Sequence, residues 1–203
     1  MNSSYSQKIP RPVLKLLQLS ESAKLEGKHD DAIKFAEQAL VKEPTCIEAL
    51  EEIADNYLAL NKLPKAKEAA NFALELDKNS YTSLYILGFA ESRKNNFKKA
   101  VQHLEKANAL KPNNSEILRS LGWAYFMIDK KLKGIVILER ALNLNQDDIM
   151  ILCDLGICYI KNHQIEKALD LFYRAMEINP NDERIKECIK IAEEVQGFPN
   201  KTR

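Results

Sequence analysis

No apolar run in this sequence approaches the roughly 18–20 residues that cross a bilayer as a helix, so no membrane span is expected. Charge of one sign is also lacking. The chain has 30 Lys and Arg against 29 Asp and Glu, a formal net charge of +1, which argues against bulk electrostatic binding of nucleic acid. The four cysteines, Cys46, Cys153, Cys158 and Cys188, show no C-x-x-C spacing. Free thiols are therefore expected, not a disulfide framework or a metal site. The polar segment 1–12 has no apolar h-region, so no secretory signal is visible and a cytoplasmic location is expected. Catalytic signatures are missing too. There is no phosphate-cradling glycine loop, no H-E-x-x-H and no G-x-S-x-G, and the three histidines, His29, His103 and His163, are scattered. Neither enzymatic activity, nor a cofactor, nor a metal is expected.

What the chain does have is internal repetition. Ser115 to Asp148 contains two apolar-periodic runs of helical spacing, Leu118–Leu121–Gly122–Tyr125 and Gly134–Leu138–Ala141–Leu142, joined by a short polar break. The same pattern recurs every 34 residues without insertion, giving units 13–46, 47–80, 81–114, 115–148 and 149–182. Position eight of each unit is small: Ser20, Ala54, Gly88, Gly122 and Gly156. Position twenty is Ala32, Ala66, Ala100, Gly134 and Ala168. Small side chains here let paired helices approach closely. Position fifteen is Gly27, Asn61, Asn95, Asp129 and His163, residue types that best tolerate the positive φ of a tight helix-to-helix turn. Pro44, Pro112 and Pro180 stop the second helix at position thirty-two. Lys78 and Gln146 replace proline in the other two units, where Asn79 and Asp147–Asp148 are candidate caps.

With Leu118–Leu121–Gly122–Tyr125, Leu152–Leu155–Gly156–Tyr159 and Ala168–Phe172–Ala175–Pro180 in phase, the chain resembles the tetratricopeptide repeat family over 13–182. The resemblance implies an all-α, right-handed superhelical solenoid of antiparallel helix pairs. The flanks complete the expected organisation. Residues 1–12 form a mobile tail. An amphipathic capping helix over 183–197 covers the last unit with Ile185, Cys188, Ile189, Ala192 and Val195, with Asp182 as its N-cap. Residues 198–203 form a frayed end.

In this family the first helix of each unit lines a concave groove. Carried onto this chain, positions two, five, six, nine, twelve and thirteen form two patches. Glu21, Glu48, Glu51, Glu52 and Asp55 make an acidic entrance. Tyr85, Ile86, Phe89, Trp123, Phe126, Met127, Met150 and Ile157 make an apolar floor, with Arg119 beside it. An exposed apolar patch rimmed by charge marks a binding surface. The expected function is a non-enzymatic adaptor that holds a protein segment with apolar anchors and a basic flank. A self-assembling homo-oligomeric scaffold, or a regulatory subunit of a larger complex, is the alternative. The family's carboxylate clamp for chaperone C-terminal tails is excluded: its Lys-Asn-Asn-Lys-Arg set falls on Glu51, Asp55, Ile86, Glu116 and Ser120 in units two to four, and no other register does better.

Overall fold

The computed structural model describes residues 9–197, and among these it is all-α, with eleven helices and no strand. Two compact units divide the chain, Met1–Lys94 and Asn95–Arg203. The first holds α1 (Arg11–Leu25), α2 (His29–Lys42), α3 (Ile47–Ala59), α4 (Leu63–Leu76) and α5 (Tyr81–Arg93). The second holds α6 (Phe97–Leu110), α7 (Ser115–Met127), α8 (Lys131–Leu144), α9 (Ile149–Lys161), α10 (Ile165–Ile178) and α11 (Glu183–Gly197).

Within each unit every helix packs on the next. The first helices of successive repeats also touch, α1 on α3 and α3 on α5 in one unit, α7 on α9 and α9 on α11 in the other. The turn chemistry follows the sequence. Asn61, Asn95, Asp129 and His163 have φ between 56° and 64°, and Gly27 has φ 74°, so position fifteen is left-handed in every repeat. The caps differ in detail from expectation. Ser80, not Asn79, caps α5, its hydroxyl oxygen accepting from the Ser83 N–H, and Asp148 caps α9 through the N–H groups of Met150 and Ile151.

Small residues set the helix spacing. The alanines at positions twenty and twenty-seven, where present, are fully buried. The fourth repeat is the tightest case. A Cβ on Gly134 would lie 2.7 Å from the Gly122 carbonyl oxygen and 2.8 Å from the Phe126 nitrogen, so α7 and α8 meet backbone to backbone. In the fifth repeat the Phe172 ring fills the space that a side chain on Gly156 would need. The first repeat uses a polar version, with Ser20 Oγ donating to the Ala32 carbonyl at 2.9 Å.

The expected tail needs correction at its inner end. Arg11 and Pro12 belong to α1, and Ile9 is half-buried against Val13, Leu17 and their cluster. Residues 1–8 and 198–203 lie outside the described residues. At the other end α11 buries Ile185, Ile189 and Ala192, while the Arg184 N–H donates to Asp182 Oδ1 at 2.9 Å. Arg184 beside it holds the Asp182 carboxyl down at about 2.

Candidate functional site

The residues expected to line one groove divide between the two compact units, so each set has its own geometry. In the first unit, inward positions of α1 and α3, with Thr82 of α5, enclose a recess of about 310 Å³. Its wall carries five carboxylates, Glu21, Glu48, Glu51, Glu52 and Asp55, and one cation, Lys24. Leu14, Leu17 and Gln18 complete it with Thr82. The recess exists because these side chains occupy the helix face opposite the buried one. Ala49, Leu50 and Ile53 turn inward to the core, leaving Glu48, Glu51, Glu52 and Asp55 on the open side.

Charge in the recess is only partly neutralised. Lys24 Nζ reaches Glu52 Oε1 at 2.9 Å and Asp55 Oδ2 at 3.2 Å. Burial works to lower the Lys24 pKa, but these two carboxylates outweigh it and the net shift is upward. Glu52 Oε2 is buried and takes no hydrogen bond within the protein. Glu51 accepts from Ser80 Oγ, and so it buttresses the residue that caps α5. Burial raises the Glu51 pKa, helped by the neighbouring Glu48 charge and opposed by the hydroxyls of Ser80 and Thr82. Glu21 and Glu48 are exposed. Among the described residues that line the recess, five acids face one lysine.

The expected apolar floor is largely packed. Ile86 is fully buried and Phe126 is 5% exposed, so neither offers a side chain to a ligand; this corrects their assignment to an open surface. Ile86 sits with Ala54, Ala66, Ala70 and Leu87 in the first unit's core. Phe126 belongs to the second unit's core, because the close α7–α8 contact at Gly122 and Gly134 draws its backbone inward. Tyr85 and Phe89 are half-buried, their ring centroids 6.1 Å apart and tilted by 48°. Trp123 and Ile157 are half-buried and pack on the second unit's core. Met150 is exposed. Met127, also exposed, lines a separate recess of about 480 Å³ with Phe97, Ile128, Lys98 and Lys99 at a hairpin end. Arg119 donates to Asp154 at 2.9 Å, both side chains less than one-fifth exposed. Burial raises the Asp154 pKa against the pull of Arg119.

A further regularity went unread in the sequence. Tyr125 donates to Glu105 and receives a hydrogen bond from Lys133 Nζ, and Tyr159 donates to Glu139 at 2.6 Å. Lys65, Lys133 and Lys167 lie over the rings of Tyr57, Tyr125 and Tyr159. The signal was the phase: Tyr at position eleven and Lys at position nineteen in units two, four and five. In unit three position eleven is Glu91, which is buried and paired with Lys67.

Among the described residues no group of three His, Cys, Asp or Glu side chains could hold a metal ion. The cysteines are free, and burial pushes the Cys153 thiol up to about 11 and Cys158 to about 12, far from the thiolate form that attacks or ligates. Among the described residues no helix is long and apolar enough to cross a membrane.

Two family models, both described as tetratricopeptide repeat, match residues 81–114 and 149–182. No curated protein matches the chain by sequence. Solved structures do match in fold. A thermophilic TPR protein of Thermus thermophilus is 22% identical, with a TM-score of 0.74 over 90% of this chain and 99% of its own. YrrB, a TPR protein with an unusual peptide-binding site, is 17% identical, with a TM-score of 0.62 over 88% and 92% of the two chains. A chain of the APC/C hetero-tetramer Cut9–Hcn1 is 18% identical, with a TM-score of 0.85 over 95% of this chain and 38% of that one. Identities this low speak to the fold alone. The phased helix pairs, the left-handed position fifteen and the two matched repeats together make this chain a tetratricopeptide-repeat protein.

Proposed function

We infer that the chain is a non-enzymatic adaptor whose first compact unit holds the basic part of a protein segment. Tetratricopeptide repeats make it a protein-interaction scaffold in general; the recess and its ligand chemistry are the finer reading. The observation that carries it is the recess of α1 and α3, where five carboxylates surround one lysine. A lysine or arginine side chain entering it would meet acids already partly desolvated, where charge attraction is stronger than in bulk water. Leu14 and Leu17 supply apolar wall beside the charge, so the segment needs an apolar residue next to its base. Half-buried Tyr85 and Phe89 are the aromatic anchors the same unit offers. The exposed methionines of the second unit, Met127 and Met150, extend the adaptor reading less strongly, since the residues between them are packed.

The test is selection of short random peptides displayed on phage against the full chain. Enriched peptides are expected to carry Lys or Arg beside a large apolar residue. Glu21→Lys/Glu48→Lys, two exposed positions, is expected to abolish their binding with the fold intact by circular dichroism. Enrichment of acidic peptides, or binding that survives the double substitution, would overturn the reading.

A further inference from the structure

Position eighteen and position twenty-two of each repeat sit one turn apart on the outer face of the second helix. In four repeats these exposed pairs are Asp30/Lys34, Pro64/Glu68, Lys98/Gln102 and Glu166/Asp170. The fourth repeat alone places two large apolar residues there, Leu132 at 73% exposure and Val136 at 62%. The repeat fold does not require this, since four other copies of the same position do without it. Around the pair the sequence is basic. Lys130, Lys131, Lys133 and Arg140 outnumber Asp129 and Glu139.

The same compact unit carries the converse surface. On α11, Ile191 and Val195 are also one turn apart and are 45% and 41% exposed, on the shoulder beside the face that packs on α9 and α10. Their neighbours on the open side are acidic on balance, with Lys190 the one base directly beside Ile191. Glu187 is one turn before Ile191, and Glu194 lies three residues after it. Two apolar pairs of equal spacing therefore stand on one chain, one among mainly basic and the other among mainly acidic neighbours. Both are exposed, so neither covers the other within the molecule.

We propose that these two faces bind each other between copies: the Ile191–Val195 shoulder of α11 on one copy docks on the Leu132–Val136 face of α8 on another. Apolar pairs one turn apart interlock as ridges of two packed helices. Glu187 and Glu194 then approach Lys131 and its basic neighbours, which sets the register and disfavours pairing of either face with itself. Such a contact is heterologous. Every open assembly keeps one free face of each kind, so it grows until a ring closes or continues as a filament. Two side chains from each helix make a small contact, so association belongs at high micromolar concentration and weakens as salt screens the charges. The acidic recess of the first unit takes no part.

Sedimentation velocity of the full chain over a rising concentration series tests this. Wild type is expected to form growing species, and more of them at low salt. Leu132→Asp/Val136→Asp and Ile191→Asp/Val195→Asp are each expected to remain monomeric, with apparent affinity reduced at least about tenfold. An equal mixture of the two variants is the decisive sample. One retains an intact α11 face and the other an intact α8 face, so the mixture is expected to form dimers and go no further. A wild type that stays monomeric throughout overturns the proposal. So does assembly that either variant leaves unchanged, or a mixture that shows no dimer. Peptide capture by the acidic recess is unaffected by all four substitutions, so the outcome is separate from that of the adaptor reading.

Discussion

The α1–α3 recess of the first unit and the α7–α9 wall of the second use the same positions of the repeat for opposite ends. At positions five, six and nine the first unit sets Glu51, Glu52 and Asp55 around a single lysine, with the Glu52 Oε2 atom unpaired. At the equivalent places the second unit sets Arg119 against Asp154 in a closed pair and lays Trp123 and Ile157 half-buried on the core. One wall keeps an excess of charge and the other neutralises it. The repeat scaffold therefore fixes where a side chain points and leaves open whether that side chain serves a ligand or its own neighbours. Exposure and pairing decide, and they differ between two copies of one design.

Substitutions that separate the two regions sharpen the comparison. The largest effect is expected in the fourth repeat. Gly134→Leu drives a side chain into the Gly122 carbonyl and the Phe126 backbone, and is expected to cost about 3 kcal/mol or more in urea unfolding. Next comes the contrast of two aspartates. Asp154→Ala leaves Arg119 nearly buried without this carboxylate and is expected to cost about 3 kcal/mol. Asp55→Ala removes a partner of Lys24 that is 42% exposed and is expected to cost less than about 1 kcal/mol, because Glu52 remains and solvent screens the pair. Equal costs for the two aspartates would erase the distinction between an open acidic wall and a closed structural one.

The smallest effect is a pH dependence. The raised Glu51 pKa means that the folded chain holds this proton more tightly than the unfolded one. The folded state is therefore favoured as pH falls through that raised value, and this contribution is lost as the carboxyl ionises at higher pH. Glu51→Gln keeps an acceptor for Ser80 and removes the titration. Between mildly acidic and neutral pH its melting temperature is expected to change less steeply than that of wild type. The raised Asp154 pKa acts in the same direction and persists in the variant, so the comparison must be made between the two proteins.

The fold was legible because it rests on recurrence. A small residue at position twenty, a turn former at position fifteen and alanine at position twenty-seven each recur five times, and each corresponds to one physical demand that the helices satisfy. The acidic recess was legible for the same reason, since its residues come from fixed positions of α1, α3 and α5. Ile86 and Phe126 were misread. Position six of the third repeat and position twelve of the fourth meet local packing that periodicity does not encode, and in the fourth the double glycine brings α7 closer to α8 than an average repeat allows. The Arg119–Asp154 pair was hidden because its members belong to different repeats, and opposite charges at positions five and six carry no signal until two first helices are placed side by side. The exposed Leu132–Val136 pair needed the reverse comparison, which is to ask where one repeat departs from the other four.

On the proposed function, uncompensated negative charge in the first unit reads a basic segment. The most direct measurement is calorimetric titration of a selected Lys- or Arg-bearing peptide into wild type and Glu21→Lys/Glu48→Lys at low and high salt. Binding is expected to weaken with salt in wild type and to be lost in the variant. Binding that ignores both salt and the charge reversal would contradict the proposed function.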